Sequence, residues 1–175
     1  SSKADRIASA TRRVITEKMD EDPAFYRQFS ELLEETIRDY RQKRLSERDY
    51  LQSVIELATK VARKERGQTM PAAIQGDEDG QAFFGLLSGK LTAAGGAPLD
   101  PDRAAGIALA VIEIVKQHHI VDVWSNDMAQ NNMRNAIDDY FFDVVRDEMG
   151  IELPVETLDD LEAQIMSLAR ARFPG

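Results

Sequence analysis

At 175 residues, with 43% hydrophobic and 30% charged side chains, the chain is long enough to bury a core without staples and too apolar to be a disordered tail. It contains no Cys, which excludes a disulfide framework and every thiolate metal site and agrees with a reducing, cytoplasmic compartment. The net charge of −9 is unevenly divided: residues 1–66 carry 15 basic and 13 acidic side chains, whereas residues 67–175 carry 7 and 18, so the second part should repel nucleic acid.

The opening SSKADRIASATRRV has no signal-peptide core and no initiator Met, and reads as the start of an excised fragment. Ala4 to Met19 sets Ile7, Thr11, Val14, Ile15 and Met19 on one face, predicting a first amphipathic helix. Asp22-Pro23 then supplies an N-cap followed by proline at the first helical position. Phe25, Phe29, Leu32, Leu33, Ile37 and Tyr40 continue at spacings of three and four, predicting a second helix to about Lys43.

After Arg44-Leu45-Ser46 a third helix is well specified. Ser46 and Asp49 form a variant capping box, Leu45 and Tyr50 occupy the staple positions, and Leu51, Val54, Ile55, Ala58 and Val61 supply the apolar face. So short a connection makes helices two and three an antiparallel hairpin.

Residues 64–80, KERGQTMPAAIQGDEDG, lack any period, turn from basic to acidic, and mark the lobe boundary. Gln81 to Leu91 carries Phe83, Phe84, Leu86, Leu87 and Leu91 as a short helix, and Asp100-Pro101 repeats the cap-and-proline device. The helix that follows, to about His118, is apolar nearly all round and should be central to a bundle. Its densest apolar run, Ile107 to Val115, is too short to span a membrane and holds Glu113.

Ile120 to Trp124 breaks the period, and Ser125 or Asn126 caps a long helix that stops at Gly150 with Met133, Ile137, Tyr140, Phe141, Val144 and Val145 on a broad apolar arc. Thr157 and Asp160 are placed to cap a last helix bearing Leu158, Leu161, Ile165, Leu168 and Phe173. The expected fold is all-α: a multi-helix bundle with a hairpin lobe over 1–66, a linker over 67–80 and a C-terminal helical lobe over 81–175.

The chemistry offered by these residues is sparse. His118 and His119 are adjacent on a helix and point about 100° apart, so they cannot chelate from one face; a helix-end structural role fits them better than metal ligation or general-base work. An independent ligand- or metal-binding bundle using them with nearby carboxylates is the rival reading. GLLSGKLT, Gly85 to Thr92, fails as a phosphate loop because three residues separate its glycines and Leu91 follows the Lys. No G-x-S-x-G elbow is present, so no nucleophilic triad is expected.

Trp124 reads as a core anchor among Ile120, Val121 and Val123. Asp139, Asp143 and Asp147 recur at i, i+4, i+8, where like charges weaken a helix unless something answers them, which marks a candidate surface for a basic partner. Arg38, Arg41, Lys43, Arg44 and Arg48 cluster at the hairpin turn and are the candidate DNA contact, a weak one without interleaved aromatic platforms.

Two segments carry a resemblance: Asp22 to Ala62, and HIVDVWSNDMAQNNMRNAIDDYFFDVV. With Val121, Asp122 and Trp124 followed by Met133, Arg134, Ile137, Asp138 and Tyr140, the chain resembles the C-terminal helical region of type I restriction endonuclease R subunits, the motor subunits of type I restriction-modification systems. The resemblance implies a non-catalytic assembly domain with no catalytic, cofactor or metal residue of its own. Its parent would be an ATP- and Mg2+-dependent DNA translocase and endonuclease, with a nuclease domain and two RecA-like motor domains ahead of this fragment. The implied partners are the remainder of the R subunit and the methyltransferase and specificity subunits.

Overall fold

A computed structural model describes residues 2–175, and these are all-α, with no strand among the described residues. The chain divides into two compact units, one ending at Thr69 and the other beginning at Met70. Each encloses its own apolar core.

The first unit is built from α1 (Lys3–Lys18), α2 (Pro23–Arg41) and α3 (Glu47–Arg63). Three side-chain caps fix where these helices start. Ser2 Oγ accepts from Asp5 N at 3.1 Å, Asp22 accepts from Phe25 N at 3.3 Å, and Ser46 Oγ accepts from Asp49 N at 3.0 Å. The core face of α1 is Ala4, Ala8, Thr11 and Ile15, so the expected face is turned: Ile7 lies at its margin and Val14 is exposed. Small residues there let α1 approach both other helices closely, and the hairpin becomes a three-helix packing. Phe25, Tyr26, Phe29, Leu33 and Ile37 of α2 close over Tyr50, Val54 and Val61 of α3. Tyr50 stacks on Tyr40 at 4.1 Å and donates its hydroxyl to Asp5 at 3.2 Å, tying the start of α3 to that of α1.

Asp22 does more than cap. Its carboxylate is fully buried and receives Lys64 Nζ at 3.2 Å together with the Arg66 guanidinium. Lys64 is held with φ 55° just past α3, which swings its ammonium over Phe25 and Tyr26 at 4.6 and 4.7 Å. One carboxylate therefore ties the start of α2 to the segment that follows α3.

The second unit contains α4 (Glu78–Ser88), α5 (Pro101–His118), α6 (Asp127–Tyr140) with its continuation Phe141–Glu148, and α7 (Val155–Arg172). As expected of a helix apolar on most sides, α5 packs on both α4 and α6. Part of the stretch expected as linker is folded into this unit: Ile74 is fully buried in a short 3-10 turn and Asp77 caps α4 through Gly80 N at 3.0 Å. Two other expected caps are not used. Asp100 makes no side-chain cap bond to α5, and α7 begins at Val155 after Pro154, ahead of Thr157 and Asp160.

The long helix ending near Gly150 changes character midway. Ala129, Met133, Ile137, Phe141 and Val145 are all buried at strict four-residue spacing. At about 100° per residue each such step drifts by about 40°, and about 160° would accumulate from Ala129 to Val145. About 120° of this builds up within α6 itself; the chain then widens to π turns over Phe141–Glu148, with Met149 N donating to Val144 O at 2.8 Å, which offsets the last step, from Phe141 to Val145. The π segment therefore keeps Val145 on the same face as Phe141. Gly150, at φ 70°, ends it.

Candidate functional site

A cleft of about 460 Å³ opens between α6 and α7 in the second unit, lined by Trp124, Gln130, Arg134, Glu162, Met166 and Arg170 among others. Trp124 enters from the 3-10 turn Val123–Ser125, which Asp122 opens with φ 57°. Its indole Nε1 donates to Phe173 O at 2.7 Å, and His119 Nε2 meets the same carbonyl at 2.8 Å, so that nitrogen carries the proton. Trp124 packs against the second core as an anchor should and also clasps the end of α7, but its sequence neighbours do not surround it: Val123 is buried, whereas Ile120 and Val121 are 51% and 83% exposed. Arg172 completes the clasp, reaching Asp79 on α4 at 2.6 Å.

The histidines are spent on structure. His118 Nδ1 faces Ile114 O at 2.9 Å, one turn back on α5, and His119 serves Phe173. No group of three or more His, Asp or Glu placed to hold a metal occurs among the described residues. Lys90 of the GLLSGKLT stretch pairs with Asp160 at 2.6 Å and serves the α4–α7 contact.

The family-like residues of α6 divide by depth. Met133 and Ile137 are fully buried, and Tyr140 sets its ring edge-on to Phe141 at 5.8 Å, with burial raising its hydroxyl pKa. Arg134 reaches Asn131 at 3.1 Å and lies 3.9 Å from Glu162, whose side chain is 17% exposed. Asp138 places one carboxylate oxygen in the interior without a hydrogen-bond partner and shares a hydrogen bond with Glu162. Burial first, then that bond and the Asp138 charge, push the Glu162 carboxyl up to about 7, with Arg134 opposing. Nothing local in sequence marks Glu162; its partner lies on another helix.

Asp139 near the end of α6 and Asp143 and Asp147 on its continuation are all exposed. Arg146 answers them in part: it meets Asp147 at 2.8 Å, lies over the Phe142 ring at 4.7 Å, and has its pKa raised by the Asp147 hydrogen bond and then by the charges of Asp147 and Asp143. In the first unit Arg38, Arg41, Lys43, Arg44 and Arg48 do come together around the α2–α3 turn and are exposed, with Lys43 at φ 57° and Arg44 3.4 Å from Asp39.

A family model described as type I restriction enzyme HindI endonuclease subunit-like, C-terminal, matches residues 7–142, from α1 into the π segment. The match takes in the α2–α3 hairpin, Trp124 and the Met133 to Tyr140 run. Comparison with curated proteins and with solved structures gives no match. No helix among the described residues is long and apolar enough to cross a membrane. The chain belongs to the family of C-terminal regions of HindI-like type I restriction enzyme endonuclease subunits.

Proposed function

We propose that this chain is the non-catalytic assembly domain of its restriction subunit, docking an ATP- and Mg2+-dependent DNA translocase and endonuclease onto the methyltransferase and specificity subunits. The family match over residues 7–142 carries the reading. It is supported by how the charged residues are used: Asp22, Arg172, His118 and His119 hold the scaffold together. The exposed acidic stripe Asp139, Asp143 and Asp147 is the surface we assign to a basic partner, because like charges at this spacing cost a helix stability that nothing within the fold returns in full.

On this reading the domain holds no cofactor, and ATP and Mg2+ act in the motor and nuclease regions of the same cytoplasmic subunit. The basic turn at Arg38 to Arg48 is a secondary, weak DNA contact, governed by salt. Deleting residues 1–175 from the subunit should abolish assembly with the methyltransferase and specificity subunits and abolish restriction while leaving the nuclease folded; unchanged assembly would overturn the proposal. Replacing Asp139, Asp143 and Asp147 by Lys should weaken assembly about tenfold or more with the fold intact.

A further inference from the structure

The first unit presents a second surface that the acidic stripe does not explain. Between α1 and α3 runs an open groove of about 250 Å³ lined by Ile7, Ala10, Thr11, Val14, Ala58 and Ala62, with Val61 beneath. Its walls are almost wholly apolar, and Val14 is 36% exposed there. Ala10, Ala58 and Ala62 keep its floor low, the condition for another helix to approach closely and seat its side chains between two ridges.

The rim on α1 is mostly basic, three cations to one acid. At about 100° per residue, Lys3, Arg6 and Arg13 fall on the groove's side of α1, outward from Ala10. None has an ion-pair partner among the described residues. Glu17 is the single acid on that side, and on α3 Arg63 stands beyond Ala62, 3.7 Å from Glu65.

We propose that the α1–α3 groove seats an amphipathic helix with acidic flanks, supplied by a partner subunit of the restriction enzyme. Leucine-like side chains at i, i+3 or i+4 and i+7 would enter the groove while glutamates or aspartates beside them meet Lys3, Arg6 and Arg13. A second copy of this chain fits poorly, because a two-fold contact would set the same cations against each other. Nucleic acid fits poorly too, since the floor offers it no polar group. The proposal names the partner's chemistry at a new place on the domain and rests on the reading of the chain as an assembly domain.

The test places the photoreactive residue benzoylphenylalanine at Ala10, and separately at Ala62, in the full subunit within the assembled enzyme, followed by mass spectrometry of the crosslinked peptide. Both positions are exposed, and circular dichroism of each variant checks its fold before crosslinking. The expected result is a crosslink to an acidic amphipathic helix of a partner subunit, reduced about tenfold by Arg6→Glu with Arg13→Glu and weakened by added salt. In an enzyme that assembles through this domain, no crosslink at either position overturns the groove as a seat. A crosslink to DNA, to a second copy, or to a basic or non-helical segment overturns it equally. Intact assembly after deletion of the whole domain defeats the docking reading instead, so the two failures are distinguishable.

Discussion

Replacing Asp22 by Ala tests whether one buried carboxylate organises the first unit. In the native chain it is fully buried, caps α2 through Phe25 N at 3.3 Å, and receives Lys64 at 3.2 Å and Arg66 as well. Loss of the cap alone costs about 1 kcal/mol. Breaking a buried ion pair from one side costs about 3–5 kcal/mol, because the opposing charge is left uncompensated. Lys64 and Arg66 side chains are 26% and 11% exposed, so they relax partly toward water, and Lys64 keeps its two aromatic faces. These offsets put Asp22→Ala at about 3–4 kcal/mol in total. In a unit of this size about 1 kcal/mol moves Tm by roughly 4–8 °C, so the melting of the first unit should fall by more than about 12 °C. Asp22→Asn keeps a cap acceptor and should lose about 2 kcal/mol. Urea and thermal unfolding read the totals, and hydrogen exchange locates the loss within residues 3–66. An Asp22→Ala variant within about 1 kcal/mol of the native chain, or a loss appearing mainly in the second unit, would refute the reasoning.

The Asp138–Glu162 pair gives a pH prediction. The Glu162 pKa is raised in the folded state from 4.5 to about 7, so its contribution to stability is fully present below about pH 4.5 and is lost as pH rises through 7. After allowance for partial solvent access, the decline should be about 1–2 kcal/mol, and Glu162→Gln, which fixes the neutral form, should flatten it and be the more stable chain at pH 8. Parallel pH profiles for the two would contradict this. At Gly80 an added Cβ would lie 2.6 Å from Asp77 Oδ2 and 2.9 Å from Ile74 Cγ2, so Gly80→Ala should destabilise the second unit by about 2 kcal/mol in urea titration while leaving the first unit's transition in place.

Local rules carried much of the fold. Ser46 and Asp22 cap where their sequence positions say they should, and Ala104, Ala105, Ile107, Ala108, Val111, Ile112 and Val115 of α5 are buried because a helix apolar on most sides must pack on more than one neighbour. What escaped depends on partners far along the chain. Asp22 was legible as a cap but not as an ion-pair centre, since Lys64 is 42 residues away. Glu162 and Asp138 sit on different helices and neither motif nor period joins them. Trp124 was placed by its apolar sequence neighbours, whereas its partner is the carbonyl of Phe173, 49 residues on. The π segment escaped as well: apolar residues at strict fours from Ala129 to Phe141 are all buried in a regular α-helix, so the spacing by itself does not mark where the turns widen. The exposed sites were legible as charge patterns at Arg38 to Arg48 and Asp139 to Asp147; the α1–α3 groove was not, because its alanines give no periodic signal of their own.

The central claim is that this domain docks its subunit onto the rest of the restriction enzyme. The most direct measurement is calorimetric titration of the folded 175-residue chain into the purified methyltransferase–specificity complex, with the full subunit as competitor. Saturable binding that the full subunit displaces, and that the triple Lys substitution of Asp139, Asp143 and Asp147 weakens, is the predicted result. No binding and no competition by a folded chain would contradict it.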